Sequence, residues 1–247
     1  YAGEVFRRQE DDAARPNEYL QVGYEVFDRD NPIDSDAEVF TVIRAALGDV
    51  PLRAATGDIG ILMAAVDGLR TTEARKSALR RHIWHPRRFR SLIDRYAGRT
   101  PVPASRQALL AAADPFADNV PQIGLRSRAE VIARIETLRA DAAAAPLSEQ
   151  EVALLDAILS VRESLPNALE HLRDIAVDLP AIDPAVERLA KRMKALEKRG
   201  VDVDTLDFEA SYGRTSLEYY DGFVFGFYEA ARPDLPPVAA GGRYDAL

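Results

Sequence analysis

The sequence contains no cysteine among its 247 residues, which excludes disulfide bonds and thiolate metal sites. A reducing compartment is the simplest setting for such a chain, so we expect a cytoplasmic protein. No apolar run approaches the roughly 18 to 20 residues that span a bilayer, and we expect no membrane association. Basic residues are in the minority, with 32 Lys and Arg against 40 Asp and Glu. Nucleic-acid binding is therefore not expected, because neutralising phosphates requires Lys and Arg.

The residues that are present can build a sizeable core, since 47% of them are hydrophobic. The chain opens on Tyr1 and has no initiator methionine. Its first eight residues already have the character of the interior of a folded unit. We therefore expect a fragment of a longer protein, with true termini that this sequence does not give.

Three zones of different character follow one another. Residues 1–67 combine strand-like alternation, clearest at 19–27, with a polar hairpin loop and a helix that begins near Asp34. Residues 68–203 are rich in Ala, Leu, Arg and Glu and have a helical pattern almost throughout. Residues 204–247 return to strand-like patterns. This order predicts an α+β sheet domain that a helical insertion interrupts.

Two helix starts in the middle zone carry a specific signal. Ser127 is followed three positions later by Glu130, and Ser148 by Glu151. Each pair predicts a capping box, in which the serine and the glutamate satisfy free backbone donors reciprocally.

Short segments that are far apart in the chain resemble one family when they are taken together. Residues 6–9 (FRRQ) and 20–27 (LQVGYEVF) resemble motif 2 of class II aminoacyl-tRNA synthetases in its histidyl form. Residues 217–225 (LEYYDGFVF) and 240–247 (AGGRYDAL) are similar to the two histidine-specific motifs of histidyl-tRNA synthetases. Their order, with a helical insertion between the first and the second, makes the combined signal specific.

The resemblance implies a fold and a division of the chain. It predicts a class II aminoacyl-tRNA synthetase-like antiparallel sheet flanked by helices. Residues 1–67 and 204–247 would form the core domain, which lacks motif 1 and motif 3, and residues 68–203 would form the helical insertion.

The residues of these segments suit a small polar ligand. Gln21 and Glu25 share one face of the predicted strand, and an amide beside a carboxylate can hold an ammonium or an imidazole N–H. Tyr219 and Tyr220 are expected on opposite faces of their strand. The glycines at 241–242 let the backbone approach a ligand closely.

Residue roles follow from the resemblance alone. In the family, the corresponding Gln, Glu and Tyr bind histidine, which implies that role for Gln21, Glu25 and Tyr220. The motif 2 arginine holds the α-phosphate of ATP, which implies that role for Arg7, and Arg15 matches a second arginine near the phosphates. The complete set of candidate ligand-binding residues is Gln21, Glu25, Tyr219, Tyr220, Gly241, Gly242, Arg243 and Tyr244.

Each of these features also has a plainer interpretation. Without the resemblance, a Gln–Glu pair on a strand is more often a solvated face. Tyr219 and Tyr220 would pack in the core with hydrated hydroxyls, and the glycines would form a turn.

The sequence departs from the family pattern at positions that the family uses to activate histidine. Histidyl-tRNA synthetases carry an arginine that stabilises charge during histidine activation, and Thr215 occupies its position here. Arg214 is one residue out of register, and on a strand such a shift sends a side chain to the opposite face. Losing a preorganised group of this kind typically costs about 2 to 4 kcal/mol of barrier lowering. Gln9 also replaces the motif 2 glutamate that helps to read adenine, so we expect impaired adenylation.

A synthetase-like fold with a degraded activation site resembles the family of ATP phosphoribosyltransferase regulatory subunits. That resemblance implies a non-catalytic role in the first step of histidine biosynthesis. It implies assembly with a short-form catalytic subunit, as a hetero-oligomer such as a hetero-octamer, and self-association as a dimer. It also implies histidine as a feedback ligand, in this pocket or at the subunit interface, and no cofactor.

Two other functions remain open at this stage. A true histidyl-tRNA synthetase fragment is the enzyme alternative, and Thr215 argues against it. The third possibility is a synthetase-like protein that binds RNA or a kinase.

The stretch 70–99 holds many arginines and lysines against few acidic residues. It could face an anion, RNA or an acidic partner subunit. We favour a pair of helices whose arginine stems cover apolar surface and pair with acidic neighbours. His82 and His85 lie in this stretch, but a third metal ligand is lacking and Pro86 interrupts the helix, so no metal site is predicted.

Overall fold

The computed structural model describes residues 1–6, 17–117, 123–214, 219–232 and 234–245. Within these ranges the strands form a two-stranded sheet and a five-stranded sheet. The strands are β1 (Ala2–Phe6), β2 (Glu18–Val22), β3 (Leu52–Asp58), β4 (Arg162–Ser164), β5 (Asp207–Glu209), β6 (Phe223–Glu229) and β7 (Ala239–Gly242).

Helices occupy most of the chain between β2 and β5. They are α1 (Pro32–Leu47), α2 (Ile59–Gly68), α3 (Glu73–Arg81), α4 (Pro86–Tyr96), α5 (Ala104–Ala111), α6 (Arg128–Ala143), α7 (Glu149–Ser160), α8 (Leu165–Asp178) and α9 (Asp183–Lys198). Short 3-10 helices at Pro180–Ile182 and Val203–Thr205 flank α9.

The larger sheet has the strand order β4-β5-β3-β6-β7. Its neighbours pair antiparallel except for β3 and β5, which run parallel. The predicted α+β class is confirmed, and the sheet is mixed at this one pair. The reason is connectivity: the helical segment between β3 and β5 returns the chain to the same end of the sheet, as parallel pairing requires.

One face of the sheet packs on α1 through aromatic rings. Phe223, Phe225 and Phe227 alternate along β6 and therefore project to the same side. Phe40 of α1 contacts all three, with ring centroids 5.0 to 6.3 Å apart. Phe40 is completely buried, so this contact fixes α1 on β6.

A buried ion-pair network joins helices to the sheet. The guanidinium of Arg192 in α9 donates to Asp36 of α1 and to Asp58 at the end of β3, each at 2.8 Å. Their side chains are only 3%, 6% and 3% exposed. Asp58 also caps α2 by accepting from the Gly60 N–H. Charges buried so deeply persist only when they are paired, so the three elements are held in one arrangement.

Several local predictions are confirmed and others are shifted. Both capping boxes are present, Ser127 with Glu130 and Ser148 with Glu151. The strand expected at 19–27 ends at Val22. The division at 68–203 stays a prediction, and that segment contains β4 as well as helices.

Among the described residues, no helix is long and apolar enough to cross a membrane.

Candidate functional site

Residues from both ends of the chain converge on one surface cluster. We call it the tyrosine–carboxylate cluster, and it consists of Tyr1, Gln21, Glu25, Tyr219, Tyr220 and Tyr244. Gln21 lies in β2, Tyr1 precedes β1 and Glu25 follows β2, and the segments flanking β6 and β7 contribute the others. The sequence motifs thus meet in space although about 200 residues separate them.

Glu25 and Tyr244 make the contact that closes the cluster. The Tyr244 hydroxyl donates to Glu25 Oε2 at 2.7 Å. This hydrogen bond, with burial and the Glu25 charge, raises the pKa of Tyr244 to about 12. Tyr244 is therefore a neutral donor at physiological pH, and it orients a carboxylate that keeps further acceptor capacity.

Gln21 is held from the other side by Tyr1. Its side-chain Nε2 donates to the Tyr1 hydroxyl at 2.8 Å, and the Tyr1 ring covers Gly23, where an added Cβ would lie 2.3 Å from it. Gln21 lies within β2, whereas Glu25 follows the strand. The two side chains belong to one cluster, but they do not share a strand face as predicted.

The tyrosine pair differs from the sequence prediction. Because β6 begins only at Phe223, Tyr219 and Tyr220 precede the strand and do not lie on its opposite faces. Their rings contact edge to face at 4.8 Å, and Tyr219 makes a similar contact with Tyr244 at 5.6 Å. Tyr219 is 42% exposed and Tyr220 only 8%, so Tyr219 is the more accessible of the two. Burial raises the pKa of Tyr220 well above its ordinary value.

The glycines at 241–242 make close contacts, but with protein rings. An added Cβ at Gly242 would lie 2.7 Å from the Tyr220 ring, and one at Gly241 would lie 2.6 Å from the Phe225 ring. Because Gly242 has no side chain, the Tyr220 ring packs directly against β7, and this contact supports the cluster.

Arg243 is committed to other residues of the protein. Its Nε and Nη2 donate to Asp36 Oδ1 at 3.1 and 2.7 Å, and Nη2 also donates to the Pro32 carbonyl. Nη1 lies 3.4 Å from Asp245. Asp36 therefore links Arg243 to the buried Arg192 network, and burial raises the pKa of Asp36 despite both arginines. Arg243 anchors β7 on α1, and its contact with a ligand stays a prediction.

Sequence reasoning missed two members of this environment. Tyr1 belongs to no motif segment, and only its position beside Gly23 reveals its role. Trp84 donates from Nε1 to the Tyr220 carbonyl at 3.2 Å, so α3 and α4 reach the cluster through their connection. No sequence signal links Trp84 to a segment 136 positions away.

Four predicted positions lie outside the described residues. These are Arg7, Gln9, Arg15 and Thr215. Arg214, next to Thr215, is described and buried, and its Nε donates to the Ile83 carbonyl at 2.7 Å. The guanidinium of Arg214 is thus bonded at the α3–α4 connection.

The favoured interpretation of the basic stretch is confirmed for four of its ten basic residues, which pair with acidic neighbours. It forms α3 and α4, and its acidic partners come from neighbouring helices as well as its own. The ion pairs are Arg75 with Asp141, Arg80 with Asp67 and Glu73, Arg90 with Asp94 and Asp156, and Arg99 with Asp94 and Glu149.

The two histidines of this stretch lie close together, with ring centroids 5.9 Å apart. Within the described residues, no group of three or more His, Asp or Glu side chains is arranged to hold a metal ion.

Comparisons with known proteins show which proteins this chain is similar to. A profile of the family described as histidyl-tRNA synthetase matches residues 1–119 and 129–247. A Brucella canis protein named ATP phosphoribosyltransferase regulatory subunit is 28% identical over 275 aligned positions, covering 100% of this chain and 69% of its own length.

Solved structures share the fold. One from Bacillus halodurans, titled an ATP phosphoribosyltransferase regulatory subunit/histidyl-tRNA synthetase, matches with a TM-score of 0.57 and 21% identity. The match covers 99% of this chain and 50% of that one. A histidyl-tRNA synthetase from a Nostoc species matches with a TM-score of 0.50 and 17% identity, over 87% of this chain and 41% of that one. The chain thus spans half or less of these solved proteins, and the fold class expected from the motifs is confirmed.

Proposed function

The chain belongs to the histidyl-tRNA synthetase family, and from that premise we propose that it acts as a regulatory subunit of an ATP phosphoribosyltransferase. The observation that carries the proposal is the alignment of the whole chain with a protein named as such a subunit. The proposed role is non-catalytic. It fits the sequence at position 215, where a threonine replaces the arginine that activation of histidine requires.

Arg214 does not restore the missing charge in this proposal. Its Nε is bonded to the Ile83 carbonyl, and its guanidinium lies over the Phe89 ring at 4.9 Å. The guanidinium is therefore held against Ile83 and Phe89 of the α3–α4 connection. Histidine activation would therefore lack its principal electrostatic catalyst.

Histidine recognition can persist where activation is lost. Glu25 is a carboxylate oriented by Tyr244, and it can accept from the ammonium or imidazole N–H of histidine. Tyr219 offers a partly exposed ring beside it. We propose that the cluster binds histidine as a regulatory ligand.

The proposed assembly follows the resemblance. The chain would join a short-form catalytic subunit in the cytoplasm, as a hetero-octamer in which it also self-associates as a dimer. It would activate the catalytic chain, and histidine would favour the less active state. Such feedback requires a coupling free energy between the histidine site and the catalytic site.

Mixing the protein with a catalytic subunit tests the proposed regulatory role directly. The full protein should be titrated into a short-form ATP phosphoribosyltransferase from the same genome, while phosphoribosyl transfer to ATP is followed. We expect activity to rise to a plateau and histidine to lower it. A flat response at saturating protein would contradict the regulatory role.

A histidyl-tRNA synthetase is the second candidate, because the family profile carries that description. Histidine-dependent exchange between ATP and pyrophosphate distinguishes the two functions. We expect no exchange above background. Robust exchange would overturn the non-catalytic assignment.

A further inference from the structure

Arg214 is a buried cation with an unused donor. It is only 4% exposed, and its Nη2 has no hydrogen-bond partner among the described residues. Its Nε bonds to a neutral backbone carbonyl, that of Ile83, and its guanidinium lies against the Phe89 ring. Among the described residues no carboxylate pairs with it, which is unusual, because burial of charge is normally compensated by a paired ion.

A second unused donor or acceptor lies on the same connection. His82 directly precedes Ile83, and its buried Nδ1 has no partner within the part of the chain that the structure describes. His82 follows α3 as its C-cap, and α4 begins four residues later at Pro86. We call this region the α3–α4 junction; it consists of residues 81–89 together with Arg214.

Burial lowers the pKa of His82 most. Among the described residues, the charged groups that act on His82 are Arg88, His85 and Arg81, and each lowers its pKa further. Arg81 and Arg88 are exposed, and neither forms an ion pair with a described residue. Their chain neighbours in α3 and α4, such as Arg80 and Arg90, are paired. Two exposed arginines without an ion-pair partner among the described residues thus lie at the α3–α4 junction.

The start of α4 adds to this field. No described side chain caps it, and because Pro86 has no N–H, Arg87 and Arg88 supply its first backbone donors; the helix dipole places partial positive charge there. The α4 helix is 11 residues long, which gives it a full set of aligned peptide dipoles.

We propose that the α3–α4 junction binds a phosphate group, with Arg214 as the buried anchor and His82, Arg81 and Arg88 completing the site. Donors that come from a guanidinium, an imidazole and a helix start suit the oxygens of a tetrahedral phosphate. His82 is half-buried and the two other arginines are exposed, so a soluble phosphate compound can approach from their side. Burial lowers the pKa of Arg214 to about 10, and a bound anion would offset that cost.

This site uses none of the residues of the tyrosine–carboxylate cluster. It requires no catalytic subunit and no histidine. Its failure would therefore leave the proposed regulatory function standing, and failure of that function would leave this site standing.

Trp84 provides an intrinsic reporter for the test. It is the only tryptophan in the sequence, and it lies within the junction. Inorganic phosphate should be titrated into the full chain at constant ionic strength, with chloride as the balancing salt. We expect a saturable change in Trp84 fluorescence and a rise in Tm. No response beyond that of chloride would overturn the proposal, and an equal response to acetate would overturn the assignment to phosphate.

Substitutions locate the site. The double variant Arg81→Gln/Arg88→Gln removes two exposed arginines, and we expect phosphate to bind it about tenfold or more weakly, because hydrogen bonds to charged groups are being lost. The matched control Arg44→Gln/Arg126→Gln removes two exposed arginines elsewhere and should bind as the wild type does. Equal phosphate affinity in the two double variants would overturn the proposal.

Arg214→Gln tests the anchor. We expect it to abolish saturable binding while the far-ultraviolet circular dichroism spectrum stays native. Unchanged binding by this variant would contradict the anchoring role. Should the variant fail to fold, the exposed double variant and its control decide the question alone.

Discussion

Gly242 is the residue at which the backbone and the Tyr220 ring approach most closely. An added Cβ would lie 2.7 Å from the ring and 2.9 Å from the Phe223 carbonyl oxygen, and that oxygen belongs to a paired strand. We expect Gly242→Ala to lower the free energy of unfolding by about 1 to 3 kcal/mol, as overpacking does. Chemical denaturation measures this, and near-ultraviolet circular dichroism reports the displaced tyrosines. Gly3→Ala is the control, since nothing lies within 4 Å of its added Cβ.

His82 should make stability depend on pH in a defined direction. In the folded state, burial lowers the pKa of His82 below its ordinary value of 6.5, and Arg88, His85 and Arg81 lower it further. The unfolded chain therefore binds the proton more readily, and this destabilises the folded state as pH falls through 6.5. We expect His82→Asn to lose less Tm than the wild type between about pH 7.5 and about pH 5.

The His82 comparison needs a phosphate-free buffer, so that ligand binding does not contribute. Parallel Tm curves for His82→Asn and the wild type would show that His82 titrates alike in both states.

The role of a residue could be predicted from the sequence where a family motif contains that residue. It could not be predicted where a contact with a distant part of the chain decides the role. Glu25 and Tyr244 were both candidates, and they do meet. Arg243 was also a candidate, but its donors are committed to Asp36, which the sequence offers only as a residue near a helix start. The pairing spans 207 positions, and no local pattern encodes it.

At the scale of elements, the Arg192 network should carry much of the attachment of α9 to α1 and β3. Arg192→Leu would leave Asp36 and Asp58 buried without their shared cation. Removing one partner of a buried pair costs about 3 to 5 kcal/mol, so we expect a loss of that size in the free energy of unfolding. Urea denaturation followed by circular dichroism measures it.

Arg199→Gln is the matched control for Arg192→Leu. Arg199 pairs with Asp34 at 3.3 Å, but the two side chains are 30% and 63% exposed. Exposed pairs contribute about 0 to 1 kcal/mol, so the loss should be small. Similar losses in the two variants would indicate that the buried network contributes no more than a surface pair.

The elements that the sequence predicted are those with signals of their own. Capping boxes and long helical periods are local, and α6 and α7 were recognised from them. The strand β4 is three polar or charged residues long, and it exists only because β5 offers an edge for pairing. The late start of β6 follows from Tyr219 and Tyr220 turning into the aromatic cluster, a tertiary effect that strand propensity does not contain.

At the scale of the whole molecule, the two proposed binding sites lie in different parts of the fold. The tyrosine–carboxylate cluster joins the two ends of the chain, whereas the α3–α4 junction lies in the helical segment between them. Trp84 connects the two, since its indole donates to the Tyr220 carbonyl and it lies two residues after His82 in the α3–α4 junction. A ligand at one place has a short physical route to the other, through a side chain that can report on both.

Feedback by histidine supplies the last prediction, for the assembled complex. If histidine acts through the tyrosine–carboxylate cluster, Glu25→Gln should raise the histidine concentration needed for half-inhibition by about tenfold or more, because a charge-assisted hydrogen bond is lost. Tyr244→Phe should shift it in the same direction by less, since it removes only the bond that orients Glu25. Glu18→Gln, an exposed change at the start of β2, should leave inhibition at the wild-type concentration. Binding and inhibition must shift together, because the coupling is reciprocal. Two results together would contradict this prediction. The isolated Glu25→Gln subunit would no longer gain Tm from histidine, while the complex that contains it would be inhibited at the wild-type histidine concentration. The inhibitory histidine would then bind elsewhere in the assembly.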